Sequence, residues 1–268
     1  MKVHVGDSVY HCEIYGNQGE TIVLFHGFTG SVSTWSTLID GYQDRFRFVV
    51  IDLPGHGKTM TPTIKTMKMC CDDLAIIFQT LGLKNVHLLG YSMGGRTALS
   101  FAMLYPEYIK SFVLESASPG LKTKQERNLR IKSDDKLIKK MQEDGLVSFI
   151  DYWEGIPLFH TQQTLPKKVK EQIRQERLSQ QVTGLIQSLQ GMGTGIQPSW
   201  WNHLQNWKKP VLLVVGERDP KFVHINEEMS EKLKNSQLVI VKNVGHAIHV
   251  EDPQKFGKIV NAFILQNR

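Results

Sequence analysis

Cysteine is scarce: Cys12 and the adjacent Cys70 and Cys71 are the only three in 268 residues. That number and spacing make neither a disulfide framework nor a thiolate metal site, so ordinary thiols in a reducing compartment are expected, and with them a cytoplasmic location. Long apolar runs are missing as well. No hydrophobic segment approaches the roughly 18–20 residues of a membrane-spanning helix. The opening "MKVHVGDSVYHCEIYG" alternates as a half-exposed strand does and lacks the apolar stretch of a signal peptide. The absence of an internal repeat excludes a solenoid or a propeller. Neither a Walker-type phosphate loop nor a dinucleotide fingerprint occurs in its required context, and the ten histidines are scattered, so no cofactor and no metal are expected. The net charge of +6 comes from mixed signs without a nucleic-acid motif, so nucleic acid is not an expected partner.

What is present has a regular rhythm. "TIVLF" (21–25), "FRFVVID" (46–52), "VHLLG" (86–90) and "SFVLES" (111–116) are short apolar runs without alternation, and helical spacing fills 34–43, 66–81 and 93–105 between them. Such runs suit a parallel sheet covered on both faces, and the alternation implies right-handed crossovers in an α/β architecture. From about Pro119 to Gln205 the pattern is helical only, as in "LIKKMQEDGLVSFIDYW" and "VKEQIRQERLSQQVTGLIQSL". The rhythm then resumes with "PVLLVVGERD" (210–219), a helix near 224–234, "QLVIVKNVGH" (237–246) and a closing helix from about 253. The expected organisation is a core of residues 1–118 and 206–268, a mostly parallel central sheet flanked by helices, with 119–205 inserted as a helical cap. Between Leu121 and Gln180 there are thirteen Lys and Arg against nine Asp and Glu, so the cap carries much of the positive surplus. That surplus suits either an anion-facing surface or a merely solvated one.

Gly90-Tyr91-Ser92-Met93-Gly94 matches G-x-S-x-G at a strand-to-helix junction. The turn needs glycines because the backbone reverses closely, and it lifts the serine hydroxyl above the carboxyl end of the sheet beside a helix N-terminus. A serine needs an imidazole to take its proton, and the imidazole needs a carboxylate to set its tautomer. The strand ending at Asp219 and the strand ending at His246 supply both in the order Ser, Asp, His. His249 is the competing base and Glu217 the competing carboxylate. For an oxyanion, the backbone N–H of Met93 would be joined by that of Phe28 from "LFHGFTGS", with His26 bracing the loop. Arg96 shares the helix face of Ser92, roughly 6 Å away along Cα. Its guanidinium suits a ligand carboxylate; the alternative is pairing with a core acid such as Glu115.

Taken together, "HGFTGS", "DLPGHG", "GYSMGG", "GERD" and "VGHAIHVEDP" resemble the α/β-hydrolase superfamily over nearly the whole chain. "GYSMGGR", "SASPGLKTKQERNLRIKSD", "DYWEGIPLF", "ERLSQQ", "MGTGIQPSWW" and "GERDPKF" are similar to the 2-succinyl-6-hydroxy-2,4-cyclohexadiene-1-carboxylate (SHCHC) synthase family of menaquinone biosynthesis. That resemblance implies an α/β-hydrolase fold and a pyruvate-eliminating carbon–oxygen lyase acting on a small polycarboxylate. It implies a triad of Ser92, Asp219 and His246 and substrate-binding roles for Tyr91, Arg96, Arg130, Trp153 and Arg177, with Arg127 and Lys221 on nearby family-like segments. A carboxylesterase or carbon–carbon bond hydrolase using the same triad is the alternative. The sequence leaves monomer and homodimer open.

Overall fold

The non-alternating apolar runs become strands buried on both faces. The computed structural model describes every residue from Met1 to Arg268. Its strands are β1 (Lys2–Val5), β2 (Ser8–Tyr15), β3 (Thr21–Phe25), β4 (Arg47–Ile51), β5 (Val86–Tyr91), β6 (Ile109–Glu115), β7 (Val211–Gly216) and β8 (Ser236–Val241). They form one sheet in the order β1-β2-β4-β3-β5-β6-β7-β8. β1, β2 and β4 pair antiparallel and all later neighbours pair parallel. Alternate residues of β3 enter separate cores: Val23 and Phe25 join one apolar cluster, Ile22 and Leu24 another. That is the period-two geometry of a strand between two helical layers.

The helices are α1 (Ser36–Tyr42), α2 (Met67–Thr80), α3 (Met93–Leu104), α4 (Lys124–Glu154), α5 (Lys167–Leu178), α6 (Val182–Met192), α7 (Pro220–Lys232), α8 (Ile248–Glu251) and α9 (Pro253–Gln266). Three of them, α4 to α6, lie between β6 and β7, and that stretch contains no strand. Ile138, Met141, Phe149, Ile150, Leu185 and Leu189 give it a small apolar core of its own, against which Phe28 packs. α4 starts with a capping box between Thr123 and Glu126 and is broken at Gly145, whose φ of 76° and ψ of −179° only glycine adopts without strain. No helix is long and apolar enough to cross a membrane.

Three local readings need correction. The N-terminal stretch is not one strand but a hairpin, because Gly6 takes φ 56° and turns the chain so that Val5 faces Ser8. The strands read as ending at Asp219 and His246 stop at Gly216 and Val241, so both side chains belong to the loops that follow. The helical pattern from 169 to 189 is divided at Ser179–Gln181 into α5 and α6.

The strand order reverses direction where β3 and β5 lie side by side, with β4 on the other flank of β3. In a parallel sheet the loops leaving the carboxyl ends diverge at such a point and open a crevice. Register brings Phe25 level with Gly90 and Tyr91 level with Glu115, so the loops after β3, β5 and β6 emerge together.

Candidate active site

Ser92 sits at the crevice between β5 and α3 with φ 50° and ψ −106°, a conformation that costs a non-glycine residue of order 1–3 kcal/mol. The turn closes so tightly that a Cβ on Gly94 would run into the carbonyl of Phe25, and one on Gly90 into the backbone of Gly94. In exchange, the serine hydroxyl stands clear of the backbone. Its Oγ lies 3.0 Å from His246 Nε2, and His246 Nδ1 lies 2.6 Å from Asp219 Oδ2. With Nδ1–H donating to the carboxylate, Nε2 is left to accept the serine proton. Asp219 also caps α7, accepting the Phe222 N–H at 3.4 Å, which holds the carboxylate in place. Asp219 and His246 are buried.

The competing groups are occupied elsewhere. Glu217 is exposed and accepts the N–H of Asn243 at 3.0 Å, bracing the loop after β8. His249 donates through Nδ1 to Glu115, with both carboxylate oxygens at 2.9 Å. That pair packs behind Tyr91, whose ring is 4.6 Å from His249 and 5.4 Å from His246. Glu115 is therefore unavailable as a partner for Arg96.

The two amides expected to serve an oxyanion are those of Met93 and Phe28, and both residues line the same cavity as Ser92. Met93 is the first residue of α3, where N–H groups have no partner within the helix. Phe28 lies in a turn closed by the Gly30 N–H on the Gly27 carbonyl at 3.1 Å, and its own N–H donates to no protein acceptor. His26 is wholly buried and off the cavity: Nδ1 meets the Gly27 carbonyl at 2.8 Å and Nε2 accepts the Leu53 N–H at 3.0 Å. Burial lowers its pKa, which keeps the ring neutral for this bracing role.

Above Ser92 opens a cavity of about 1140 Å³, walled by the sheet loops below and by α4 and α6 above. Arg96 lines it. Its Nη1 donates to the Met192 carbonyl at 2.8 Å and to Gln197 Oε1, and no carboxylate lies within 4.0 Å of the guanidinium. Burial first, and then the nearby Arg130 charge, lower its pKa, with Asp134 opposing. An arriving anion would reverse that penalty. Arg130 also lines the cavity, held by Nε at 2.8 Å from Asp134 Oδ1, and its two terminal nitrogens donate no hydrogen bond to protein. Asp134 is itself buried, and burial raises its pKa against the pull of Arg130.

Trp153 reaches the cavity from α4, stacked on Phe149 and edge-on to Phe28 and Phe159, with an indole N–H that has no acceptor. Tyr91 lines the floor and Lys221 the exposed rim. Two of the arginines named from the sequence are not brought to the cavity. Arg177 is buried behind Phe159, its guanidinium 4.8 Å above that ring, and engages Glu154 Oε1 and Gln162 Oε1, each at 3.3 Å. Arg127 is half-buried on α4 and does not line the cavity. Conversely, Asp134 escaped the sequence reading, although its place four residues after Arg130 on a helix was a usable signal. Gln197 and Glu251 escaped it as well. Glu251 accepts the N–H groups of Gly245 and Ala247 on either side of His246, at 2.7 and 3.4 Å. No group of three or more His, Cys, Asp or Glu side chains is arranged to hold a metal ion.

Residues 20–253 match the family model for the alpha/beta hydrolase fold, and the chain belongs to the α/β-hydrolase fold family. A Bacillus subtilis (strain 168) protein, provisionally named 2-succinyl-6-hydroxy-2,4-cyclohexadiene-1-carboxylate synthase, is 48% identical over 92% of this chain and 91% of its own length. The enzyme of that name from Citrobacter koseri is 26% identical over 87% of this chain and 88% of its own. Within the hydrolase fold, the chain belongs to this SHCHC synthase family. Among solved structures, MenH from S. aureus superposes with a TM-score of 0.92 at 34% identity, covering 96% of this chain and 98% of that one. A malate-bound thermophilic esterase from Thermogutta terrifontis has a TM-score of 0.85 at 26% identity, covering 99% and 98%.

Proposed function

We propose that this chain is an SHCHC synthase, a carbon–oxygen lyase of menaquinone biosynthesis. It eliminates pyruvate from 2-succinyl-5-enolpyruvyl-6-hydroxy-3-cyclohexene-1-carboxylate. The observation that carries the proposal is a joined one: a Ser92–His246–Asp219 relay lies at the base of a cavity whose guanidinium groups, Arg96 and Arg130, have spare donors for a ligand carboxylate. An apolar acyl pocket would gain nothing from a half-buried Arg96 and would carry its desolvation cost. A substrate with three carboxylates offsets that cost. The helical segment 119–205 acts as the cap that completes this pocket, and the cytoplasm is the expected site of action for a chain with three buried free thiols.

His246 draws the proton from Ser92, and the serine oxygen removes the ring C–H proton alpha to the succinyl ketone. Negative charge builds on the ketone oxygen, between the N–H groups of Phe28 and Met93, each worth roughly 3–4 kcal/mol in such a position. The electron pair then forms the first ring double bond, shifts the existing one towards C5, and breaks the C5–O bond. Enolpyruvate departs and is protonated to pyruvate. No acyl-enzyme forms. Arg96 and Arg130, with Tyr91 and Trp153, hold the ring so that the acidic C–H faces Ser92.

The same relay and amide pair would also serve ester hydrolysis, and the esterase with a similar backbone favours keeping that reading in view. Incubating the purified protein with the enolpyruvyl precursor, while following pyruvate and the conjugated diene together, separates the two. Equimolar appearance of both supports the lyase. Turnover of short p-nitrophenyl esters without pyruvate release supports the hydrolase instead.

A further inference from the structure

The turn carrying Phe28 is gripped from the cap. Glu176 lies near the carboxyl end of α5, and its Oε1 accepts four hydrogen bonds from core residues that directly follow the turn. These come from the Ser31 N–H at 2.9 Å, Ser31 Oγ at 2.8 Å, Ser33 Oγ at 3.0 Å and Thr34 Oγ1 at 2.7 Å. Gln180, one helical turn further on, accepts the Gly57 N–H at 2.9 Å, so the contact belongs to a docked edge of the cap. Close approach of Gly55 to Gly184, where a Cβ on either would strike the other's backbone, fixes the same edge.

Four donors on one oxygen exceed what holding two surfaces together requires. Ser31 is buried, so its N–H needs a partner: Glu176 Oε1 at 2.9 Å is the nearer acceptor, and Thr34 Oγ1, from the same turn, stands further off at 3.3 Å. The N–H of the next residue, Val32, goes to Asp52 Oδ1 at 2.7 Å, which fixes the start of the following helical turn. Along the chain, the turn is held at its entrance by His26, at Thr29 by the His56 ring at 3.2 Å, and at its exit by Glu176. Thr29 takes φ 67°, a left-handed conformation that a threonine keeps only while its surroundings impose it. Release at Ser31 lets Gly30 and Thr29 relax, and the Phe28 N–H swings with them.

We infer that Glu176 is a positioning residue for the reaction: through Ser31 it aims the Phe28 N–H at the oxygen on which charge develops. The inference rests on the reading that Phe28 serves the oxyanion. It makes an element of the cap part of the core's chemical apparatus, in addition to any role of that cap in covering substrate. It also assigns a function to the acceptor oxygen of Glu176 rather than to its charge.

The test compares Glu176→Ala, Glu176→Gln and the wild type in pyruvate elimination and in p-nitrophenyl ester hydrolysis, both of which build charge on a carbonyl oxygen. Removing an oxyanion donor costs a factor of roughly 10²–10³ in kcat, so misaiming one costs about tenfold. The expected result is that Glu176→Ala loses about tenfold in kcat with KM within about twofold. Glu176→Gln, which keeps a carbonyl oxygen to accept the Ser31 N–H, stays within about twofold of wild type. Amide exchange at Phe28 and Thr29 rises in the alanine variant, and this readout needs no turnover. Circular dichroism and melting confirm that each variant is folded; if the alanine variant is not, Glu176→Asp, one methylene too short to reach, takes its place. A loss entirely in KM would show an anchoring role only and overturn the inference. So would equal damage in the alanine and glutamine variants, or unchanged exchange. Failure of pyruvate release in the wild type alone would count against the synthase reading and leave the ester and exchange arms to judge Glu176.

Discussion

Replacing Arg96 with methionine tests the anion-receiving cavity most directly. Methionine fills much of the same volume and keeps the helix, but removes the guanidinium. At about 4 Å and an effective dielectric near 20, a guanidinium and a carboxylate attract by about 4 kcal/mol. Part of this is offset by stripping water from the ligand, and charge-assisted hydrogen bonds net about 1.5–3 kcal/mol. A loss of 2–3 kcal/mol corresponds to a 30- to 150-fold fall in affinity, roughly, at 1.4 kcal/mol per decade. Stability should move far less. The carbonyl of Met192 and Oε1 of Gln197 lose their donor, at about 1 kcal/mol each. Against that, a half-buried cation with no carboxylate partner is removed, a change that is often neutral or stabilising. The net change in unfolding free energy is expected within about 2 kcal/mol. The assay is steady-state pyruvate release with KM and kcat resolved, beside a denaturant melt. A rise in KM of that size with kcat changed less supports the clamp. Wild-type KM together with a collapse of kcat would show that Arg96 acts on the reacting centre and refute the reasoning.

Other outcomes follow from the same geometry. Ser92→Ala should lower kcat for pyruvate elimination by at least about 10³-fold while still binding a polycarboxylate inhibitor; an alanine variant that eliminates pyruvate at the wild-type rate rules out Ser92 as the proton-abstracting group. Gly94→Ala should yield little folded protein, because the added methyl meets the Phe25 carbonyl, and a soluble variant with a wild-type melt would disprove the close approach. Acid should destabilise the fold through three buried histidines: burial lowers His26, pushes His56 down to about 3 and His87 down to about 4. The unfolded chain binds more protons than the folded one as pH falls below 6.5, so stability is full above that value and declines towards pH 4. Each histidine contributes about 1 kcal/mol per pH unit. Chemical melts at pH 7.0 and 5.5 measure the loss, and a His56→Gln variant should show a shallower slope; an identical slope would remove His56 from the account.

Much of this architecture is legible locally. β3 and β7 are near-continuous apolar runs, and a strand buried on both faces needs no distant information to be recognised. The Ser92 turn is legible from its motif, and Gly90 answers a steric demand set within the turn by Gly94, whereas Gly94 itself answers the Phe25 carbonyl on a neighbouring strand. Asp219 and His246 could be chosen by chain order, although both lie in loops beyond the strands that seemed to carry them. Strand ends are poorly marked there because "GERD" and "KNVGH" continue a plausible pattern after the ladder hydrogen bonds have stopped.

The amino-acid order by itself determined the strand and helix succession, the pinched serine and the residue types that could serve it, because periodicity and turn motifs are written over a few neighbouring positions. Tertiary structure alone decided which arginines face the cavity: Arg96 and Arg130 do, while Arg177, equally suggestive in sequence, is drawn away by Glu154. It alone brought Glu176 to Ser31 across 145 positions of chain. Charge and hydrogen-bonding capacity belong to a residue, but the partner that uses them is set by how the helical segment docks on the sheet, and no local pattern records that docking.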